Sequence, residues 1–79
     1  MSVAATLLID ARGHRCPVPT LKLQRALAQL ATGEAVEVLA DDPMARIDIP
    51  HFVAVAGHTL LALEVTGEVV RACVRKGGE

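Results

Sequence analysis

Two short apolar runs, Thr6 to Ile9 and Ala35 to Ala40, bracket a segment in which Leu23, Ala26, Leu27, Leu30 and Ala31 recur at the i, i+3, i+4, i+7, i+8 spacing of a helix buried along one face. That alternation predicts a strand, a crossover helix and a second strand lying parallel to the first through a right-handed connection. Within the second run Val36, Val38 and Ala40 alternate with Glu37 and Leu39, the period of a strand, and Lys22, Gln24, Arg25 and Gln29 take the wet side of the helix. Thr32-Gly33 is expected to stop that helix, because Gly just past the last periodic residue adopts the left-handed cap conformation.

Asp41-Asp42-Pro43 reads as a strand end and a helix start, since Asp accepts from free first-turn amides and Pro is tolerated at the first helical position. Pro50 would break a helix begun at Pro43, so the second helix is expected at about Pro50 to Ala56, capped by Asp48, preceded by a looser turn and ended by Gly57. His58 to Val65 and Val69 to Lys76 predict two strands joined by Thr66-Gly67-Glu68. The order βαβαββ implies an α/β (α+β) two-layer sandwich, with a mixed four-stranded sheet and two helices on one face. Its 79 residues suffice for one domain, 1–79, and leave no room for a deep substrate cleft.

Charge and composition remove several function classes. A net charge of −1 supplies no global positive field for phosphate backbones, and one Phe with no Tyr or Trp leaves almost nothing to stack on bases, so no direct nucleic-acid partner is expected. Met1 to Thr6 lacks the basic start and apolar stretch of a secretion signal, and no run approaches membrane-spanning length, which points to a cytoplasmic, reducing setting with no membrane role. There the two cysteines, Cys16 and Cys73, are expected as separate thiols. The histidines do not change this: His14-Arg15-Cys16 puts two ligand types close together, but structural zinc needs paired Cys or His clusters, so no metal site is expected.

The segment Asp10-Ala11-Arg12-Gly13-His14-Arg15-Cys16-Pro17-Val18-Pro19 carries the chemistry. It joins the first strand to the first helix, at the carboxyl end where α/β folds concentrate their sites. Cys16 is expected at the N-cap, where the helix macrodipole favours thiolate over thiol. Arg12, Arg15 and a protonated His14 add positive charge nearby. Pro17 and Pro19 have no N–H and fix the backbone, holding the thiol outward and leaving the Val18 and Thr20 amides as donors. Burial as a small apolar side chain is the competing reading for Cys16, and the charged loop around it argues against that. Arg12, Arg15, Lys22 and Arg25 are read as a basic rim that steers an acidic partner surface. Cys73, alternating with Arg71 and Arg75 in the last strand, is read as a packed structural thiol on the open side of the sheet.

The Cys16-Pro17-Val18-Pro19 segment, followed in order by Asp41-Asp42-Pro43, Asp48-Ile49-Pro50, Gly57-His58 and Arg75-Lys76-Gly77-Gly78, resembles the TusA/SirA-like family across nearly the whole chain. The resemblance implies a βαβαββ sandwich whose Cys16 accepts sulfane sulfur as a persulfide, donated by a cysteine desulfurase or a rhodanese-like protein. Cys16 then relays it to an acceptor protein in tRNA thiolation, molybdenum-cofactor or sulfur-oxidation pathways. It implies no cofactor, and a sulfurtransferase-type carrier that turns over only with protein partners. Some relatives carry a further cysteine where this chain has Val53, so a two-thiol mechanism at that position is closed to it. Alternatives are a regulatory interaction module of the same fold, a selenium-handling variant, and a thiol redox protein, the last opposed by the lack of a Cys-x-x-Cys pair.

Overall fold

The computed structural model describes residues 7–15 and 17–77 of the chain. Its elements are β1 (Leu7–Asp10), α1 (Val18–Gln29), β2 (Ala35–Ala40), α2 (Ala45–Ala56), β3 (Thr59–Thr66) and β4 (Val69–Arg75), the order expected from the sequence. Thr6, placed in the first strand above, lies outside the described residues. The four strands form one sheet in the order β1-β2-β4-β3. β1 pairs with β2 in parallel, Leu7 opposite Val36 and Asp10 opposite Leu39, while β4 runs antiparallel to both β2 and β3. The sheet is therefore mixed, as the alternation of strands and helices followed by a hairpin requires.

Side-chain parity sorts the two faces. Val36, Val38 and Ala40 of β2 and Val70, Ala72 and Val74 of β4 join Leu23, Ala26 and Leu27 of α1 and Ala45, Ile49 and Val53 of α2 in a single core. The opposite parity, Leu8, Glu37, Arg71 and Cys73, lies on the face without helices. No helix among the described residues is long and apolar enough to cross a membrane.

The strand ends of β3 and β4 fall within one residue of the sequence reading, and two helix boundaries differ more. α1 ends at Gln29: Leu30 turns extended (φ −93°, ψ 152°) yet stays buried at 7% exposure, so the apolar spacing runs past the helix because the core needs that side chain. Gly33 is left-handed as expected, but in the following turn, where its N–H donates to the Lys76 carbonyl at 3.0 Å.

The larger difference is α2, which begins at Ala45 and carries Pro50 in its interior. Ala45, Ile49 and Val53 form an i, i+4, i+8 stripe exposed by 3%, 0% and 2%. An interior proline costs about 3 kcal/mol, whereas burying Ile49 and Val53 contributes roughly 1.5–3 kcal/mol each, so core packing outweighs the local rule. Asp48, expected as the cap, is instead inside the first turn, where its charge suits the positive end of the helix. Gly57 ends α2 in the left-handed region (φ 84°), and the following amide, His58 N–H, reaches back to the Val53 carbonyl at 3.0 Å.

Pro50→Ala restores a donor for the Arg46 carbonyl. It is expected to raise the unfolding free energy by about 1 kcal/mol, part of the interior penalty being returned to the more flexible unfolded chain. Urea denaturation measures this, and a lower midpoint for the variant would show that the ring's packing outweighs the missing bond.

Candidate functional site

Both helices start at the carboxyl ends of the strands before them, and β4 starts beside the end of β2, where Ala40 pairs with Val70. Three connections therefore meet at one end of the sheet: the described residues between β1 and α1 (11–15 and 17), residues 41–44 and the Gly67–Glu68 turn.

The first connection is held by hydrogen bonds from Ala11 to His14. The Ala11 N–H donates to the Leu39 carbonyl at 2.7 Å, carrying the parallel ladder one residue past β1 and leaving Ala11 with no exposure. The chain then turns, His14 N–H donating to the Ala11 carbonyl at 3.3 Å. Asp10 grips this turn through Arg12, whose backbone N–H (3.1 Å) and Nε (2.9 Å) both reach Oδ1 while Nη2 reaches Oδ2 at 2.8 Å. Gly13, at φ 87°, donates its N–H to Asp41 Oδ1 at 2.9 Å. A Cβ there would meet nothing within 4 Å, so the backbone conformation alone calls for glycine.

The two aspartates after β2 thus divide their work. Asp42, 6% exposed, accepts the Met44 N–H on Oδ1 at 2.9 Å and starts the turn into α2, as a helix-entry aspartate should. Asp41 reaches across to the first connection. Sequence reasoning missed this contact, because the residues are 28 apart; only the parallel pairing of β1 and β2 brings their ends together.

The cap of α1 is Pro17 (φ −99°, ψ 16°), one residue later than expected, with no side-chain cap bond. Proline at this end forfeits nothing, since first-turn amides have no intrahelical acceptor. Pro17 is exposed and its carbonyl accepts the Leu21 N–H at 3.0 Å; Pro19 is buried in the first turn. The Val18 amide, read above as an available donor, is taken by the Arg15 carbonyl at 2.9 Å. Cys16, the expected nucleophile, lies outside the described residues, between Arg15 and Pro17 in sequence.

The structure distributes the four cations of the expected rim among three settings. Arg12 is committed to Asp10, which raises its own pKa and holds the Asp10 carboxyl at about 2, the Arg12 hydrogen bonds being the main cause. Lys22 and Arg25 share a shallow groove along α1 with Leu21, a leucine that is 51% exposed. Arg15 lines a separate cleft of about 480 Å³ with Asp41, Arg46 and Glu68, walled by Pro43, Val65 and Val70. No group of His, Cys, Asp or Glu suited to a metal ion occurs among the described residues.

Cys73 is 7% exposed on the helix-free face, beside Glu37, which is ion-paired with Arg71. Burial, then the Glu37 charge, push its thiol pKa up against a smaller opposing effect of Arg71. It is a packed thiol, poorly disposed to ionise.

A mixed four-stranded sheet with two helices and a polar, hydrogen-bonded connection after its first strand defines a small α+β protein. Residues 8–76 match the model of the family described as sulfurtransferase TusA, and the chain belongs to that family. It is similar to the crystal structure of a SirA-like protein from Desulfitobacterium hafniense, with a TM-score of 0.79 and 30% identity over 92% of this chain and 100% of that one. It is 37% identical over 75 residues to YrkF of Bacillus subtilis, provisionally named a sulfur carrier protein; the match covers 95% of this chain and 40% of YrkF, so the chain spans about two fifths of that relative.

The Asp10–Arg12 fork has a defined pH range. The folded-state pKa of Asp10, about 2, lies below its ordinary value of 3.8, so the fork's contribution is complete above the ordinary value and is lost as pH falls through about 2. Carboxyl NMR titration is expected to give that low midpoint in wild type and a return toward 3.8 in Arg12→Ala; a midpoint unmoved by the substitution would assign the shift to another group.

Proposed function

We propose that this chain carries sulfur as a persulfide on Cys16, taking it from a cysteine desulfurase or rhodanese-like donor and passing it to an acceptor protein. The observation that carries the reading is the family match over residues 8–76, which contains Cys16-Pro17-Val18-Pro19, next to a connection held by Asp10 and Asp41. A pinned loop lowers the ordering cost of presenting one atom to a partner.

In the loading step the Cys16 thiolate attacks the outer sulfur of the donor persulfide. A new S–S bond forms on Cys16, the donor's S–S bond breaks, and the donor cysteine leaves as thiolate. In delivery an acceptor thiolate attacks the outer sulfur of the Cys16 persulfide, and Cys16 is the leaving group. The exchange needs no net oxidant or reductant, and a reducing compartment such as the cytoplasm keeps both thiols available. Pro17 and Pro19 position the thiol by fixing the backbone on its helical side. Arg12 sustains the connection through Asp10, Arg15 contributes positive charge next to Cys16, and Lys22 and Arg25 with exposed Leu21 form the surface on which an acidic partner docks. The acceptors in view are those of tRNA thiolation, molybdenum-cofactor assembly and sulfur oxidation.

Incubation with a cysteine desulfurase, cysteine and pyridoxal phosphate is expected to add one sulfur, about 32 Da, to wild type and nothing to Cys16→Ala. The buried Cys73 stays unlabelled in both. Mass spectrometry of the intact chain reads the result, and an equal gain in Cys16→Ala would move the chemistry away from Cys16.

Reversing Lys22 and Arg25 to Glu is expected to slow desulfurase-dependent loading about tenfold at low salt, with the difference shrinking as ionic strength rises. Initial rates at low and high salt check this; a salt-independent rate equal to wild type would remove the groove from the docking surface.

A further inference from the structure

The cleft beside the first connection has a charge pattern unlike that of the α1 groove. Arg15, Arg46 and Glu68 line it, and none of the three makes an ion pair among the described residues. Its fourth charged side chain, Asp41, already accepts the Gly13 N–H on one oxygen. Val65 and Val70 supply an apolar wall. The cleft thus offers two guanidinium groups and one carboxylate without an ion-pair partner among the described residues, beside a short apolar stretch.

Guanidinium groups bind carboxylates through paired donors, and a carboxylate suits an ammonium. The complementary ligand therefore carries two carboxylates and one ammonium. The volume, about 480 Å³, falls in the range that encloses small molecules, roughly 300–1,000 Å³. An acidic protein surface is a poorer match, because Glu68 and Asp41 would repel what the arginines attract. Arg15 immediately precedes Cys16 in the sequence, so the cleft takes one of its two arginines from the residue next to the proposed nucleophile.

We infer that this cleft binds a small peptide thiol persulfide bearing two carboxylates and one ammonium, the charge pattern of glutathione persulfide, and lets it load Cys16 without a protein donor. The inference rests on the persulfide reading above. Arg15 and Arg46 hold the carboxylates and Glu68 the ammonium. The Cys16 thiolate attacks the outer sulfur of R–S–SH; the S–S bond to Cys16 forms, the R–S bond to that sulfur breaks, and R–S⁻ departs, leaving Cys16–S–SH. Charge and atoms balance without a further reactant.

The test compares loading of Cys16 by glutathione persulfide and by the persulfide of uncharged 2-mercaptoethanol, followed by the gain of about 32 Da. Each rate, read at the Cys16 peptide, is divided by that of Cys16 in the urea-unfolded chain to cancel intrinsic reactivity. Wild type is expected to favour glutathione persulfide about tenfold, and Arg46→Ala and Glu68→Gln, both at exposed positions, to lose most of that preference. Desulfurase loading of wild type runs in parallel. If it labels Cys16 while the folded chain shows no preference, or while Arg46→Ala keeps the preference, the cleft inference is overturned and the carrier reading stands. If no donor labels Cys16, both fall.

Discussion

β2 lies between β1, its parallel neighbour, and β4, its antiparallel one, and its Val36, Val38 and Ala40 have no exposed surface. Parallel pairing obliges the chain to cross the sheet through α1, and that crossing sets the carboxyl ends of β1 and β2 side by side. The Ala11–Leu39 bond and the Asp41–Gly13 bond both follow from this placement. The antiparallel return of β4 brings the Gly67–Glu68 turn to the same end. Three connections with no sequence proximity thus build one polar surface, while the apolar stripes of α1 and α2 close the core behind it.

Electrostatics separates the charged residues at this end by partner. Asp10 and Arg12 spend their charges on each other and stiffen the turn. Lys22 and Arg25 stay on the α1 groove, next to exposed Leu21, and Arg15 faces the cleft with Arg46 and Glu68. These two settings differ in what they accept, one offering positive charge beside apolar surface, the other mixed charge in an open cleft. Cys73 is distinguished from any exchanging thiol by its burial on the helix-free face, under the Glu37–Arg71 pair.

The places where local reading and structure part are instructive. Pro50 reads as a helix boundary because a proline removes one donor and crowds the preceding turn, yet the Ala45, Ile49 and Val53 stripe needs the helix on both sides of it. Leu30 reads as helical because it keeps the apolar spacing, although it reaches the core from extended backbone. Asp41 and Asp42 look equivalent in sequence, and their roles diverge only when β1 and β2 become neighbours. In each case a nearest-neighbour preference worth a few kcal/mol or less was set against packing or pairing with distant residues.

Periodicity by itself determined the order of elements, the mixed sheet and the stripe of α1, and the ordered short motifs carried the resemblance to the family, since these are read along one segment at a time. The tertiary structure alone decided that Asp41 clamps the first connection, that Arg12 is neutralised by Asp10, and that Arg15 shares a cleft with Arg46 and Glu68. Those facts depend on distances through space between segments far apart in the chain, and such distances exist only once the sheet has set its strand order.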